Sequence, residues 1–262
     1  MVSGLELLRE RHQFGDAGVF SVNAVAAFHN RTTLKQLDRL LTPILFLETV
    51  AACALVVTGP FSKLGRLALL LVCGSILALR WRRHAGGDGA EQMSLLVLLA
   101  ACLAVMPWPS PTRVRIVVIF IAAQACLAYA TAGIAKLFSQ TWREGQALPA
   151  IFLTNNYGDP RMAVFLENHL NIAWLISWTV ILYESLFPVV LLTSGWLLIA
   201  ALALGVLFHL SCAVTMGLNG FLWAFPASYP CVAAFAMEIS SFTSHSSAML
   251  LPAAQSGHFM CL

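Results

Sequence analysis

Four ionisable residues stand inside long apolar runs of this sequence, Glu48, Lys136, Glu184 and His209, with Glu238 at the margin of another. A charge in hydrocarbon is costly, so each marks a functional group or a polar interior. Lys136 has Tyr129 seven residues before it and Gly133 three before it, which puts a phenol and a small residue on its helical face. A lysine desolvated to its neutral amine is a general base. Lying 21 residues after Arg115, near the end of its run, it is equally read as a lysine that snorkels to the membrane surface. Glu184, in Tyr183-Glu184-Ser185 near the middle of its run, must be protonated or paired, and Lys136 or an arginine would serve as a structural partner. His209, in Phe208-His209-Leu210-Ser211, fits a neutral imidazole hydrogen-bonded across helices or a proton relay; a haem would want a second histidine at similar depth, which is missing.

Other polar groups extend this set. Gln124 and Thr131, seven apart, form a polar stripe on a nearby face, which predicts that this helix looks into the bundle. Asp88, in Gly87-Asp88-Gly89-Ala90-Glu91-Gln92, opens another apolar run. It is either a helix N-cap with Glu91 three residues on, or an acid that stands with Gln92 at the mouth of a site. Trp142, Trp174, Trp178 and Trp223 supply aromatic faces for a hydrophobic ligand or a developing cation. The seven cysteines include no Cys-x-x-Cys pair and read as small hydrophobes rather than metal ligands or disulfides.

The elements that must hold these groups are membrane helices. A spanning helix takes about 20 apolar residues, and seven runs come near this: 41–58, 64–81, 90–108, 114–138, 172–193, 196–218 and 221–237. The last is the weakest, because Pro226 and Pro230 interrupt it. With 59% hydrophobic and 10% charged residues and a mean hydropathy of +0.80, the composition excludes a soluble globular enzyme. Fifteen Lys and Arg against twelve Asp and Glu exclude a nucleic-acid partner. The expected fold is an all-α polytopic membrane bundle of about seven helices. An amphipathic interfacial helix from His29 to Leu41 precedes it, with Leu34, Leu37, Leu40 and Leu41 on one face.

Three regions follow: a cytosolic or interfacial segment 1–40, a transmembrane domain 41–238 and a poorly ordered tail 239–262. No cleavable signal peptide is expected in the first 20 residues. The polar stretch 139–169, with its turn signal from Asn155 to Pro160, is expected to lie on the membrane surface or fold back over the bundle. If the N-terminus is inside, ten Lys and Arg (Arg9, Arg11, Arg31, Lys35, Arg39, Arg80, Arg82, Arg83, Arg143, Arg161) fall inside and four (Lys63, Arg66, Arg113, Arg115) outside. That favours a cytoplasmic N-terminus in a cell-membrane protein.

The middle of the chain resembles a known family. Tyr129-Ala130-Thr131-Ala132-Gly133-Ile134-Ala135-Lys136-Leu137, then Trp142-Arg143-Glu144-Gly145, is similar to the Tyr…Ala-Gly-x-x-Lys-Leu…Trp-x-x-Gly segment of the HTTM superfamily, which includes the transmembrane part of vitamin K-dependent γ-carboxylase. Tyr183-Glu184-Ser185-Leu186-Phe187-Pro188 resembles its Glu-x-x-x-Pro helix. Phe208-His209-Leu210 through Met216-Gly217-Leu218-Asn219-Gly220-Phe221 resembles its His…Met-Gly…Phe helix. The resemblance spans roughly 88–225 and implies that Lys136 matches the base that deprotonates vitamin K hydroquinone. The carboxylase's lysine pair is Ala135-Lys136 here, and its large lumenal domain has no counterpart, which points away from a protein γ-glutamyl carboxylase.

The expected function is therefore an intramembrane enzyme acting on an isoprenoid or quinone-like substrate. Lys136 is the base, Glu184 and His209 tune it or relay protons, and Asp88 and Gln92 stand at the mouth. Gln124, Tyr129, Trp142, Trp174, Trp178 and Trp223 line the site. No metal is required; if the substrate is a quinol, dioxygen is the oxidant. A variant is an isoprenoid cyclase started by a protonated Asp88 or Glu184. A second class is a non-enzymatic membrane partner or immunity protein, and a third a small transporter, against which the absence of an inverted repeat counts. The bilayer and a hydrophobic small molecule are the expected partners, with a helper protein left open.

Overall fold

In an apolar medium every backbone N–H and C=O must be satisfied by the chain itself, and a lone segment does this only as a helix. The structure is a computed structural model that describes residues 31–83, 88–105, 110–154 and 158–250, and every regular element among them is helical. In order these are α1 (Arg31–Thr58), α2 (Lys63–Arg83), α3 (Gly89–Val105), α4 (Pro111–Phe138), the short α5 (Gln140–Arg143), α6 (Ala147–Phe152) and α7 (Pro160–Asn168), then α8 (Leu170–Leu186) with a 3₁₀ extension Phe187–Leu192, α9 (Gly195–Met216), α10 (Asn219–Ala224), a 3₁₀ turn Pro226–Ser228, and α11 (Tyr229–Leu250). The chain forms two compact units, Met1–Val117 and Val118–Leu262, and the boundary falls within α4.

Among the described residues, six segments are long and apolar enough to cross a membrane: Asp38–Thr58, Lys63–Arg82, Pro111–Phe138, Leu170–Leu192, Gly195–Met216 and Asn219–Phe242. The chain is thus an all-α, multi-pass membrane protein. The run expected as a further span at 90–108 forms α3, whose 17 residues extend about 25 Å against a hydrocarbon core of about 30 Å.

Three boundaries differ from those expected, each for a local reason. The interfacial helix and the first span are one helix, α1, since no glycine or turn separates them and Pro43 lies within it; the side chains of Leu34 and Leu37 lie outside the described residues. The tail expected to begin at 239 is helical as far as Leu250. Its serines need no loop, because a helical serine can bond back to its own helix, as Ser241 Oγ donates to Glu238 O at 2.8 Å. Pro226 and Pro230 do not break the last span. They stand at the start of the 3₁₀ turn and of α11, where a missing N–H costs nothing. Residues 1–30, 84–87, 106–109, 155–157 and 251–262 lie outside the described set. These include the expected turn at Asn155–Tyr157, the end of the run at Trp108, and most of the N-terminal segment.

In the second unit, the polar stretch after α4 folds into a small layer of its own. Leu148, Phe152, Ala163 and Leu166 pack on Ala173 of α8, with Trp142, Met162 and Met216 against them. Asp159 accepts from the Arg161 N–H at 2.9 Å and Pro160 begins the helix, so the Asp-Pro pair is an N-cap that launches α7. Met216-Gly217 has an equally local meaning. Gly217 takes φ 70° to end α9, and the Leu218 N–H returns to Cys212 O at 3.3 Å.

The first unit is held by a pair whose arginine the charge count had placed in an inner segment. Arg82, 1% exposed, donates Nε and Nη2 to the two carboxylate oxygens of Asp38 at 2.8 and 3.1 Å, joining α2 to α1. This two-pronged geometry suits arginine, and a lysine cannot reproduce it. Removing one partner of a buried pair strands the other. Asp38→Ala is expected to lower stability by about 2–4 kcal/mol, less than for a fully buried carboxylate because Asp38 is a quarter exposed. Arg82→Lys should fall between Asp38→Ala and wild type. Thermal unfolding of the detergent-solubilised protein measures both; a melting temperature unmoved by Asp38→Ala would contradict the assignment.

Candidate functional site

The second unit brings three of the four charged candidates into two neighbouring clusters, and small residues make this possible. At Gly133 of α4 a Cβ would run into the backbone of Glu184 and Ser185, so the two helices touch there main chain to main chain. Lys136 lies three residues further along α4, and its Nζ meets Glu184 Oε2 at 2.5 Å. The ammonium also stands 5.2 Å from the centre of the Trp142 ring, within cation–π range. Lys136 is therefore a paired lysine directed at α8. Glu184 is 5% exposed, on a stripe of α8 with Ala173, Ser177 and Ile181.

The residues that follow α4 fix this geometry. Gly145 adopts φ 77°, and a Cβ there would strike the backbone of Trp174, so the loop after α5 rests on the second turn of α8. Trp178 Nε1 donates to Arg143 O at 3.2 Å and ties α8 to the same loop. Trp142 thus sits over Lys136 because its flanks are fastened to α8 on both sides.

Two turns back along α4 lies the second cluster. The Tyr129 hydroxyl is 2.5 Å from His209 Nε2 and 2.6 Å from the Tyr229 hydroxyl, linking α4, α9 and α11. Tyr183, next to Glu184, donates to Ala201 O at 3.3 Å. The phenols of Tyr183 and Tyr229 converge over Gly205, where a Cβ would collide with both oxygens. Aromatic rings enclose the group: Phe187 stacks on Tyr129 at 4.0 Å, and Phe225 stacks on His209 at 4.8 Å. With Nε2 accepting, Tyr229 donates to Tyr129 and Tyr129 to His209, which places the ring proton on Nδ1. His209 Nδ1, Ser177 Oγ and Ser185 Oγ are buried without a hydrogen-bond partner, an uncommon state for buried polar atoms.

The remaining predicted residues take other places. Gln124 is half-buried on α4, but Thr131 is exposed and donates to Leu127 O and Ala128 O of its own helix, so these two do not form an interior stripe. Trp174 and Trp223 are largely exposed. Trp178 is half-buried, with its ring 6.2 Å from that of Trp174. Asp88 is exposed and accepts the Glu91 N–H at 2.8 Å, so its carboxylate caps α3. Asp88 and Gln92 belong to the first unit, as does Glu48, which is buried on α1. Among the described residues no group of three or more His, Cys, Asp or Glu is placed to hold a metal. Tyr229, Phe225 and Gly205 were not singled out from the sequence, because aromatics and a glycine in apolar runs look like packing.

No family model, curated protein or solved structure matches the chain.

The floor beneath the phenols makes a sharp contrast between two glycines. Gly205→Ala is expected to cost about 1–3 kcal/mol through overpacking. Gly74→Ala, where a Cβ meets nothing within 4 Å, should be neutral or gain up to about 1 kcal/mol from helix propensity. Melting curves of the two variants in one detergent test this; equal shifts would show that the phenols yield freely.

Proposed function

We propose that the second unit is an intramembrane acid–base site acting on a lipid-soluble, isoprenoid or quinone-like substrate, with Lys136 as the base. The Lys136–Glu184 contact carries this reading. A buried ion pair is at best a weak contributor to stability, and well-packed apolar residues often do as well. The pair is net neutral in two forms, ammonium with carboxylate and amine with carboxylic acid. In the second form the amine is free to take a proton from an acidic hydroxyl of the substrate, and Glu184 holds the displaced proton. Glu184 thus exchanges protons with Lys136, and the face of Trp142 favours the ammonium that results.

Three further features support the reading. Ser185 Oγ is buried beside Glu184 and unpaired, and is available to orient a polar group of the substrate. The chain Tyr229, Tyr129, His209 offers a relay through groups that each donate and accept. The rings of Phe187, Phe225 and Tyr183 around it suit an apolar ligand. The segments that resemble the HTTM superfamily contribute Lys136, Trp142, Glu184 and His209 to these clusters, consistent with a quinol deprotonated at Lys136. In that case dioxygen would be the oxidant.

The test is mass spectrometry of lipid extracts from cells expressing the wild type, Lys136→Met, Glu184→Gln, Tyr129→Phe and an empty vector, with membrane insertion checked for each. A product specific to the wild type should fall by roughly 10²- to 10⁴-fold in Lys136→Met, the range for loss of a general base. It should fall less in Tyr129→Phe. A product that survives Lys136→Met but not Glu184→Gln would replace the base mechanism with an acid-started cyclisation. Identical extracts from all inserted proteins would favour a non-enzymatic membrane partner.

A further inference from the structure

Away from that site, in the first unit, two thiols touch between apolar helices. Cys73 Sγ lies 3.4 Å from Cys102 Sγ, across the contact between α2 and α3. Cys73 is buried and stands ten residues from each end of α2, about 15 Å along the helix from either end. Cys102 is half-buried, three residues before the end of α3. A disulfide needs the sulfurs at about 2.05 Å, an approach that side-chain rotation and a small helix shift can cover from this starting contact.

We propose that Cys73 and Cys102 form a redox-sensitive pair that closes to a disulfide, with a membrane-dissolved quinone as the oxidant. Two S–H bonds break and one Sγ–Sγ bond forms. The two electrons and two protons pass to the quinone, which leaves as the quinol. Depth selects this class of oxidant, since the charged, water-borne thiols and disulfides that set the redox state of aqueous compartments do not enter hydrocarbon. Exposure orders the two thiols: Cys102 is the one an oxidant in the lipid meets, and Cys73 is the buried partner that completes the bond. The product fastens α3, an apolar helix shorter than the long spans, to the full-length α2.

The experiment treats membranes containing the full chain with tetramethyl-benzoquinone, which has no free ring position for thiol addition. The protein is then denatured, alkylated, digested and mapped by mass spectrometry. The expected result is a peptide pair linked through Cys73 and Cys102, lighter by two hydrogens, with one quinol formed per chain. Alkylation of Cys126, Cys212 and Cys231 should be unchanged. In Cys102→Ala, Cys73 should stay fully alkylatable after the same treatment. If both thiols of the wild type are alkylated to the same extent with and without the quinone, or if either is found linked to a different cysteine, the proposal is overturned. The wild-type map decides this whatever the variant does.

Discussion

A charge can remain in hydrocarbon only if another group carries part of its cost, and in the second unit that condition is met by a glycine. Gly133 lets the backbone of α4 lie directly against Glu184 and Ser185. Without that approach Lys136 could not reach the Glu184 carboxylate from the last turn of α4 while 20% exposed. The short layer α5–α7 answers to the same contact. Gly145 and the Trp178 bond fasten it to α8, which sets Trp142 against the ammonium. Gly133, Gly145, Trp142 and Trp178 therefore serve one ion pair.

The second cluster obeys the same rule with neutral groups. A phenol or an imidazole costs less to bury than an ion, provided its hydrogen bonds are made. Tyr129 and Tyr229 make theirs with each other and with His209 Nε2 across three helices, and of these groups His209 Nδ1 alone is left without a partner. Gly205 removes the side chain that would separate the phenols of Tyr183 and Tyr229. Tyr183 and Glu184 are adjacent in sequence, so the ionic and phenolic groups share α8 as a common wall.

What could be seen in the sequence divides along physical lines. Lys136, Glu184 and His209 announced themselves because an ionisable group in an apolar run has few innocent explanations, and the structure places all three in polar contacts of one unit. Tyr229, Phe225 and Gly205 did not, because their types are ordinary in membrane helices and their meaning lies in tertiary contact. Arg82 misled for the opposite reason. At the end of a run it looks like a loop charge, and only the packing of α1 on α2 shows it buried against Asp38. Pro226 and Pro230 looked like breaks because a proline's effect depends on whether it stands inside a helix or at its first turn. Thr131 is the reverse of a hidden signal: its hydroxyl bonds its own helix, so a polar residue on a membrane helix need not face an interior.

The asymmetry between the two ion pairs bears on their roles. Arg82 and Asp38 meet through two parallel hydrogen bonds, and arginine does not give up its proton. That pair is fixed in a single charge state and suits a permanent joint between α1 and α2. Lys136 and Glu184 meet through a single contact between groups that can each be neutral. Lysine in place of arginine forfeits the second hydrogen bond and keeps the possibility of moving a proton. A bundle that needed only a joint at Glu184 would be better served by the arginine it uses elsewhere, and the choice of lysine at position 136 is the chemical argument for a site that works by proton transfer.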